Sequence, residues 1–197
     1  PLLEEAAGKN CGGAVVFASG YGEVGPEGRE RQRELVEAAD RLGIAVMGPN
    51  CAGFANFVDG IFAFAFLVEE RERGGNIGMI SQSGQIVLGG LDSPNMGFSH
   101  VISSGNSCNV KVEDYLDFLV DDEDTKVVAA YMEGVTKPEK LVAAFQKAAL
   151  KKKPVVVLKT GRSAKSQELA KSHTGSLSGA DKVLRAVFKR YGVVEAG

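Results

Sequence analysis

The feature that most constrains this chain is the alternation, from residue 76 onward, of short apolar runs with stretches of helical periodicity. "NIGMI", "HVISS", "KVVAAYM", "PVVVLK" and "GVVEA" read as strands, and residues 85–92, 112–120, 138–150 and 180–191 read as helices. Strands that stay apolar without alternating are buried on both faces, which requires helices on both sides of a parallel sheet. In 138–150, Leu141, Val142, Phe145, Ala148 and Ala149 fall on one stripe and Pro138 sits near the first turn, where its missing N–H costs nothing. Residues 75–197 therefore read as a complete five-strand, doubly wound α/β domain.

The preceding stretch has the same grammar in shorter form. "GAVVFAS" is a strand, residues 27–42 a helix with Leu35, Val36, Ala39 and Leu42 on one face, and "IAVMG" a second strand. After "PNCAGFANFVDG", "IFAFAF" reads as an extended edge strand. The charged, glycine-ended "EERERGG" marks a boundary, with residues 1–70 on one side and 75–197 on the other. Residues 1–70 hold only one full αβ step after their opening strand, which makes this unit incomplete. The start, "PLLEEAAGKN", has neither an initiator Met nor an apolar signal core, so the chain is expected to be a piece of a longer protein.

Composition narrows the function classes. A 197-residue chain with 44% hydrophobic and 24% charged residues is built to form one large or two small cores. A formal net charge of −2 argues against nucleic acid as a partner, and the run Lys151 to Lys153 reads as a solvated helix end. No apolar run approaches the roughly twenty residues a membrane span needs. Cys11, Cys51 and Cys108 are odd in number and far apart, which suits a reducing, cytoplasmic setting and matches no zinc spacing. No metal site is expected, since His100 lies inside a strand.

In doubly wound sheets, chemistry gathers where loops leave the carboxyl ends of strands. Four such loops, "SQSGQ", "SSGNSCN", "MEGV" and "KTGRSAKSQELAKSHTGSLSG", share that rim and are rich in Ser, Gly and Asn. Ser81, Gln82, Ser83 and Gly84 open a helix, where several backbone N–H groups and the helix dipole favour an anion such as phosphate; a plain Ser N-cap with a turn glycine is the alternative. Neither serine has the glycines of a nucleophile elbow. His173, followed by Thr174 and Gly175, opens the last helix, and its neutral imidazole is suited to nucleophilic attack near neutral pH, although a loop histidine can also merely bond backbone. Glu133, ending its strand on the same rim, could hold the imidazole tautomer or simply sit near a helix start. Asn106 could donate an amide to an oxyanion or shape a turn.

Taken in order, "GPNCAG", "GNIGMISQSG", "SSGN", "DYLDFLVDDEDTKVVAAYMEGV", "KKPVVVLKTGRS" and "SHTGSLSGAD" resemble the NDP-forming acyl-CoA synthetases, and the resemblance covers essentially the whole chain. It implies that residues 1–70 are the carboxyl-terminal part of a Rossmann-like CoA-binding domain, and that 75–197 are a flavodoxin-like domain carrying a phosphohistidine. His173 then resembles the phosphorylated residue and Glu133 its acidic support. Ser81, Gln82, Ser83 and Gly84 match one phosphate loop, with Asn106 beside it; Thr174 and Gly175 belong to the other. Ser19, Gly20, Asn50 and Cys51 resemble the rim of the CoA site.

The activity implied is an acid–CoA ligase. Acyl-CoA, phosphate and a nucleoside diphosphate are interconverted with a small carboxylic acid, coenzyme A and the triphosphate, through acyl phosphate and phosphohistidine. ADP/ATP or GDP/GTP with Mg²⁺ would sit on a partner ATP-grasp domain or subunit. The resemblance leaves a homo-oligomer possible. The glycine fingerprint expected before "GAVVFAS" is absent from this chain. Ala52, Gln85 and Asn109 also depart from common family residues, which bears on the acyl substrate. A non-catalytic CoA-sensing or adaptor domain, as fused to lysine acetyltransferases, is the alternative, but those often lose the histidine that "SHTG" retains here. A phospho-receiver would need an acidic Mg²⁺ cluster that "SQSG" does not supply.

Overall fold

The computed structural model describes residues 1–66, 74–160 and 181–196. His173, Thr174 and Gly175 lie outside the described residues. In chain order the elements are α1 (Leu2–Gly8), β1 (Gly13–Val15), a 3-10 turn (Gly22–Val24), α2 (Pro26–Leu42), β2 (Ala45–Met47), β3 (Gly53–Asn56) and β4 (Ile61–Phe64). Then follow β5 (Ile77–Ser81), α3 (Gly84–Leu91), β6 (Phe98–Ser103), α4 (Val112–Asp121), β7 (Val127–Met132), α5 (Pro138–Leu150) and β8 (Val155–Lys159). The last two are α6 (Asp181–Tyr191) and β9 (Val194–Ala196).

The expected alternation forms a mostly parallel sheet. Strands β6, β5, β7, β8 and β9 are neighbours in that order and all parallel. Counted within this half the order is 2-1-3-4-5, the flavodoxin-like form of the doubly wound sheet. All six residues of β6 are buried, as expected for a strand covered on both faces. One core lies under α4, α5 and α6, around Leu116, Leu119, Met132, Leu141 and Phe145; a second lies under α3, around Met79, Val87, Phe98 and Val101. Helix α5 buries Leu141, Ala144, Phe145 and Ala148, a three-and-four spacing, and Pro138 occupies its first turn.

The expected boundary at residues 70–75 is corrected at the level of the sheet. Only β1 and β2 form a separate parallel pair; β3 and β4 join the large sheet, giving seven strands in the order β4-β3-β6-β5-β7-β8-β9. β3 runs antiparallel to both β6 and β4. The reason is that β6 would otherwise leave a fully buried strand with an open row of N–H and C=O groups, and the hairpin after the "GPNCAG" turn satisfies that row. "IFAFAF" is indeed the edge strand, with Ile61 and Phe62 exposed. Helix α1 and strand β3 were not read from the sequence. α1 is short and buries no residue fully, and in β3 only Phe54 favours a strand, beside Gly53, Ala55 and Asn56, which do not.

Candidate functional site

The loops at the carboxyl ends of β5, β6 and β7 come together as expected, and hydrogen bonds tie them. Ser104 N donates to Ser81 O at 2.8 Å, joining the β6 and β5 loops. Gln82 Oε1 accepts from Glu133 N at 2.6 Å and from Gly134 N at 3.1 Å, joining the β5 and β7 loops. β5 and β7 are the strands between which the connections diverge to opposite faces, and an open crevice is the topological consequence. A cleft of about 360 Å³ lies there, lined by Gln82, Ser83, Gly84, Gln85, Leu88, Gly105, Asn106 and Glu133, with Asn50, Cys51, Ala52, Ala65 and Phe66 on its far side.

Within the β5 loop the two serines have different parts. Ser81 is fully buried. Its hydroxyl donates to Ser83 O at 2.6 Å and accepts from Ser83 N at 3.0 Å. Expected among the phosphate ligands, Ser81 instead shapes the loop, because a buried hydroxyl must satisfy itself locally. Ser83 occupies the N-cap position of α3 in extended backbone but makes no side-chain cap bond. Ser83 and Gly84 line the cleft at the positive end of the α3 dipole.

Asn106 is also corrected. Its Nδ2 donates to Glu23 Oε2 at 2.6 Å and to Gln32 Oε1 at 2.9 Å, while its Oδ1 accepts from Asn50 Nδ2 at 3.3 Å. Both amide hydrogens are committed, so it bridges the two parts of the chain rather than offering a donor to an oxyanion. Gly105 makes that bridge possible. Its φ is +55°, and a Cβ there would stand 2.4 Å from the carbonyl oxygens of both Pro49 and Asn50.

Glu23 and Gln32 were missed in the sequence because nothing local marks them. Glu23 Oε1 also accepts from Gly20 N and, at 3.1 Å, from Tyr21 N. Burial opposes ionisation of Glu23, but the bonds from Asn106 and the Gly20 and Tyr21 amides outweigh it and hold its carboxyl below the usual range. Gly20 is thus anchored, its carbonyl accepting from Arg31 at 2.9 and 2.7 Å, but neither Ser19 nor Gly20 lines the cleft. Asn50 and Cys51 do. Burial pushes the Cys51 thiol up, and its Sγ lies 3.4 Å from Val16 O, so it is a protonated wall residue rather than a thiolate.

Glu133 lines the cleft with its carboxylate unpaired among the described residues, while its carbonyl accepts from Lys159 Nζ at 2.8 Å. Among the described residues no group of three or more His, Cys, Asp or Glu side chains is placed to hold a metal ion, and no helix is long and apolar enough to cross a membrane.

Residues 74–197 match the profile of the succinyl-CoA ligase-like flavodoxin domain. The chain belongs to that family. Members similar to it include the ADP-forming acetate–CoA ligase I of Archaeoglobus fulgidus, 40% identical over 98% of this chain and 28% of that protein. The alpha subunit of the ADP-forming acetate–CoA ligase II of Pyrococcus furiosus is 37% identical over 98% of this chain and 42% of its own. Among solved structures, an acetyl-coenzyme A synthetase 1 from Candidatus Korarchaeum cryptofilum, in complex with phosphate and ADP, superposes with a TM-score of 0.89 at 30% identity. It covers 99% of this chain and 42% of that one. The chain therefore spans well under half the length of these relatives of the succinyl-CoA ligase-like family.

Proposed function

We propose that this chain is the phosphoryl-handling part of an NDP-forming acid–CoA ligase. One observation carries the reading: at the switch point of the sheet, a helix N-terminus with Ser83 at its cap shares one cleft with Glu133, and among the described residues neither the Ser83 hydroxyl nor the Glu133 carboxylate has a partner. Similarity to ADP-forming acetate–CoA ligases over nearly the whole chain supports it.

In the direction that makes the triphosphate, an oxygen of inorganic phosphate attacks the acyl-CoA carbonyl, the C–S bond breaks and coenzyme A leaves as the thiol. A ring nitrogen of His173 then attacks phosphorus, the P–O bond to the acyl group breaks and the carboxylate departs. A partner ATP-grasp module, holding the nucleotide and its Mg²⁺, passes the phosphoryl group to the diphosphate. Splitting one displacement into two is the advantage of the covalent carrier. Ser83 and the first amides of α3 would hold phosphate, with Gly84 allowing close approach and Gln82 fixing Glu133. Thr174 and Gly175 would supply the second anion cradle. Glu133 would favour the imidazolium side of the transfer. Ser19, Gly20, Asn50 and Cys51 would form only a rim for coenzyme A, the thiol of Cys51 remaining protonated. A small carboxylic acid completes the substrate set, and the setting is cytoplasmic.

The test uses the full-length protein with its ATP-grasp module, radiolabelled ATP and Mg²⁺. Label should appear on this chain as an acid-labile, base-stable phosphoramidate. His173→Asn should abolish it, and Glu133→Gln should slow it by about 10- to 100-fold, the worth of one to two pKa units on the imidazole. Equal, acid-stable label in His173→Asn would move the carrier to a serine. No label in any variant would favour an adaptor domain.

A further inference from the structure

Glu133 directly follows β7, and the strands on either side of β7 each send a side chain to its backbone. From the β5 side, Gln82 Oε1 accepts from Glu133 N at 2.6 Å and from Gly134 N at 3.1 Å. From the β8 side, Lys159 Nζ donates to Glu133 O at 2.8 Å and also to Thr160 O. The lysine takes over where the ladder stops. Met132 and Lys159 are register partners, and Thr160 N donates to Met132 O at 3.1 Å. The next carbonyl of β7 is that of Glu133, and the ammonium supplies its donor. Strand alternation puts Lys159 on the same face of β8 as Val155 and Val157, both buried, and Lys159 is itself only partly exposed. A residue placed there for packing alone would be apolar. An ammonium there loses water, and the two carbonyls offset that loss.

Resting on the ligase reading, we infer that Lys159 is a positioning residue for phosphoryl transfer: its ammonium holds the Glu133 backbone from the β8 side, as Gln82 does from the β5 side, and so sets where the Glu133 carboxylate stands. The Glu133 N–H belongs to the peptide plane before its Cα, and the Glu133 C=O and Gly134 N–H belong to the plane after it. With both planes held, φ and ψ of Glu133 are fixed, and with them the direction of its Cβ. Gly134 would otherwise leave the loop free to turn at that point. Only side-chain torsions then remain to move the carboxylate. The segment that carries His173 starts at Thr160, so one ammonium ties the Glu133 backbone to the root of that segment. Lys159 acts through Glu133 and touches no reacting atom.

The experiment measures, by rapid quench, the rate of ATP-dependent phosphoenzyme labelling of the full-length protein with its ATP-grasp module. Wild type, Lys159→Met, Glu133→Gln and the double variant are compared. Lys159→Met should slow labelling about 10- to 100-fold, the range for a catalytic group displaced by about 1 Å. On top of Glu133→Gln it should add less than about twofold, because a carboxylate that is gone cannot be misplaced. A lysine that merely staples two strand ends would instead slow labelling by the same factor in both backgrounds. That result, or labelling of Lys159→Met at the wild-type rate, overturns this inference alone. The same cycle with Lys159→Gln, a polar replacement suited to a half-buried position, supplies the comparison if Lys159→Met does not fold. A wild type that takes no label, or Glu133→Gln that labels at the wild-type rate, overturns the ligase reading of the site and takes the inference with it.

Discussion

At the scale of single residues, the junction between the two parts of the chain is held by Asn106, whose partner Glu23 stands 83 positions earlier. Because the Glu23 carboxyl is depressed in the folded state, its contribution is fully present above the ordinary carboxylate range and is lost as pH falls through the depressed value. Glu23→Gln should therefore destabilise the chain by about 1 kcal/mol at pH 7, after allowing for solvent screening. Its urea midpoint should converge with that of the wild type as pH falls below that range. Urea titrations at pH 7 and under acid conditions check both the size and the sign. The sequence suggested Asn106 as an oxyanion donor because Gly-Asn in a strand-end loop is compatible with that use. The partners that commit its amide come from α2 and the turn before it, at separations no local pattern reveals.

At the scale of elements, the helices after α1 were legible and their caps were not. Pro138 marks the start of α5, but its N-cap position holds Lys137, which makes no cap bond. The acceptor is Glu113 on α4, fully buried, with Oε1 receiving Thr136 N at 2.7 Å and Lys137 N at 3.0 Å. A carboxylate there satisfies the orphan amides and meets the positive end of the dipole. Glu113→Ala should cost about 3 kcal/mol in chemical denaturation, since it strands buried donors, and Glu113→Gln less than half of that, since an acceptor remains. The same contrast holds for strands. β5 to β8 announce themselves by apolar runs, whereas β3 is a strand only because β6 offers it a buried edge.

At the scale of the whole molecule, seven strands share one sheet and two stand apart among the described residues. The β1–β2 pair is a two-stranded parallel ribbon, packed with α1 and α2 around Ala39, Ile44 and Val46. Two-stranded sheets are marginal by themselves, and opening free energies within a protein vary by region. In this chain, amide hydrogen exchange in β1 and β2 should be about 100-fold faster than in β5 and β7, the central strands. Equal protection throughout would mean that the two parts open as one unit.

The order of elements, the parallel sheet and the rim on which the chemistry gathers follow from the sequence by itself, because hydrophobic periodicity and right-handed crossovers leave few alternatives. So does the candidacy of Ser83 and Glu133, which lie in loops that follow parallel strands of one half. Only the tertiary structure decided that residues 53–64 belong to the large sheet, that Ser81 and Asn106 are spent on scaffolding, and that side chains from both neighbouring strands hold the Glu133 backbone. Each of these depends on which buried donor finds which acceptor across tens of residues, and satisfying those groups is a property of the packed chain rather than of any local run.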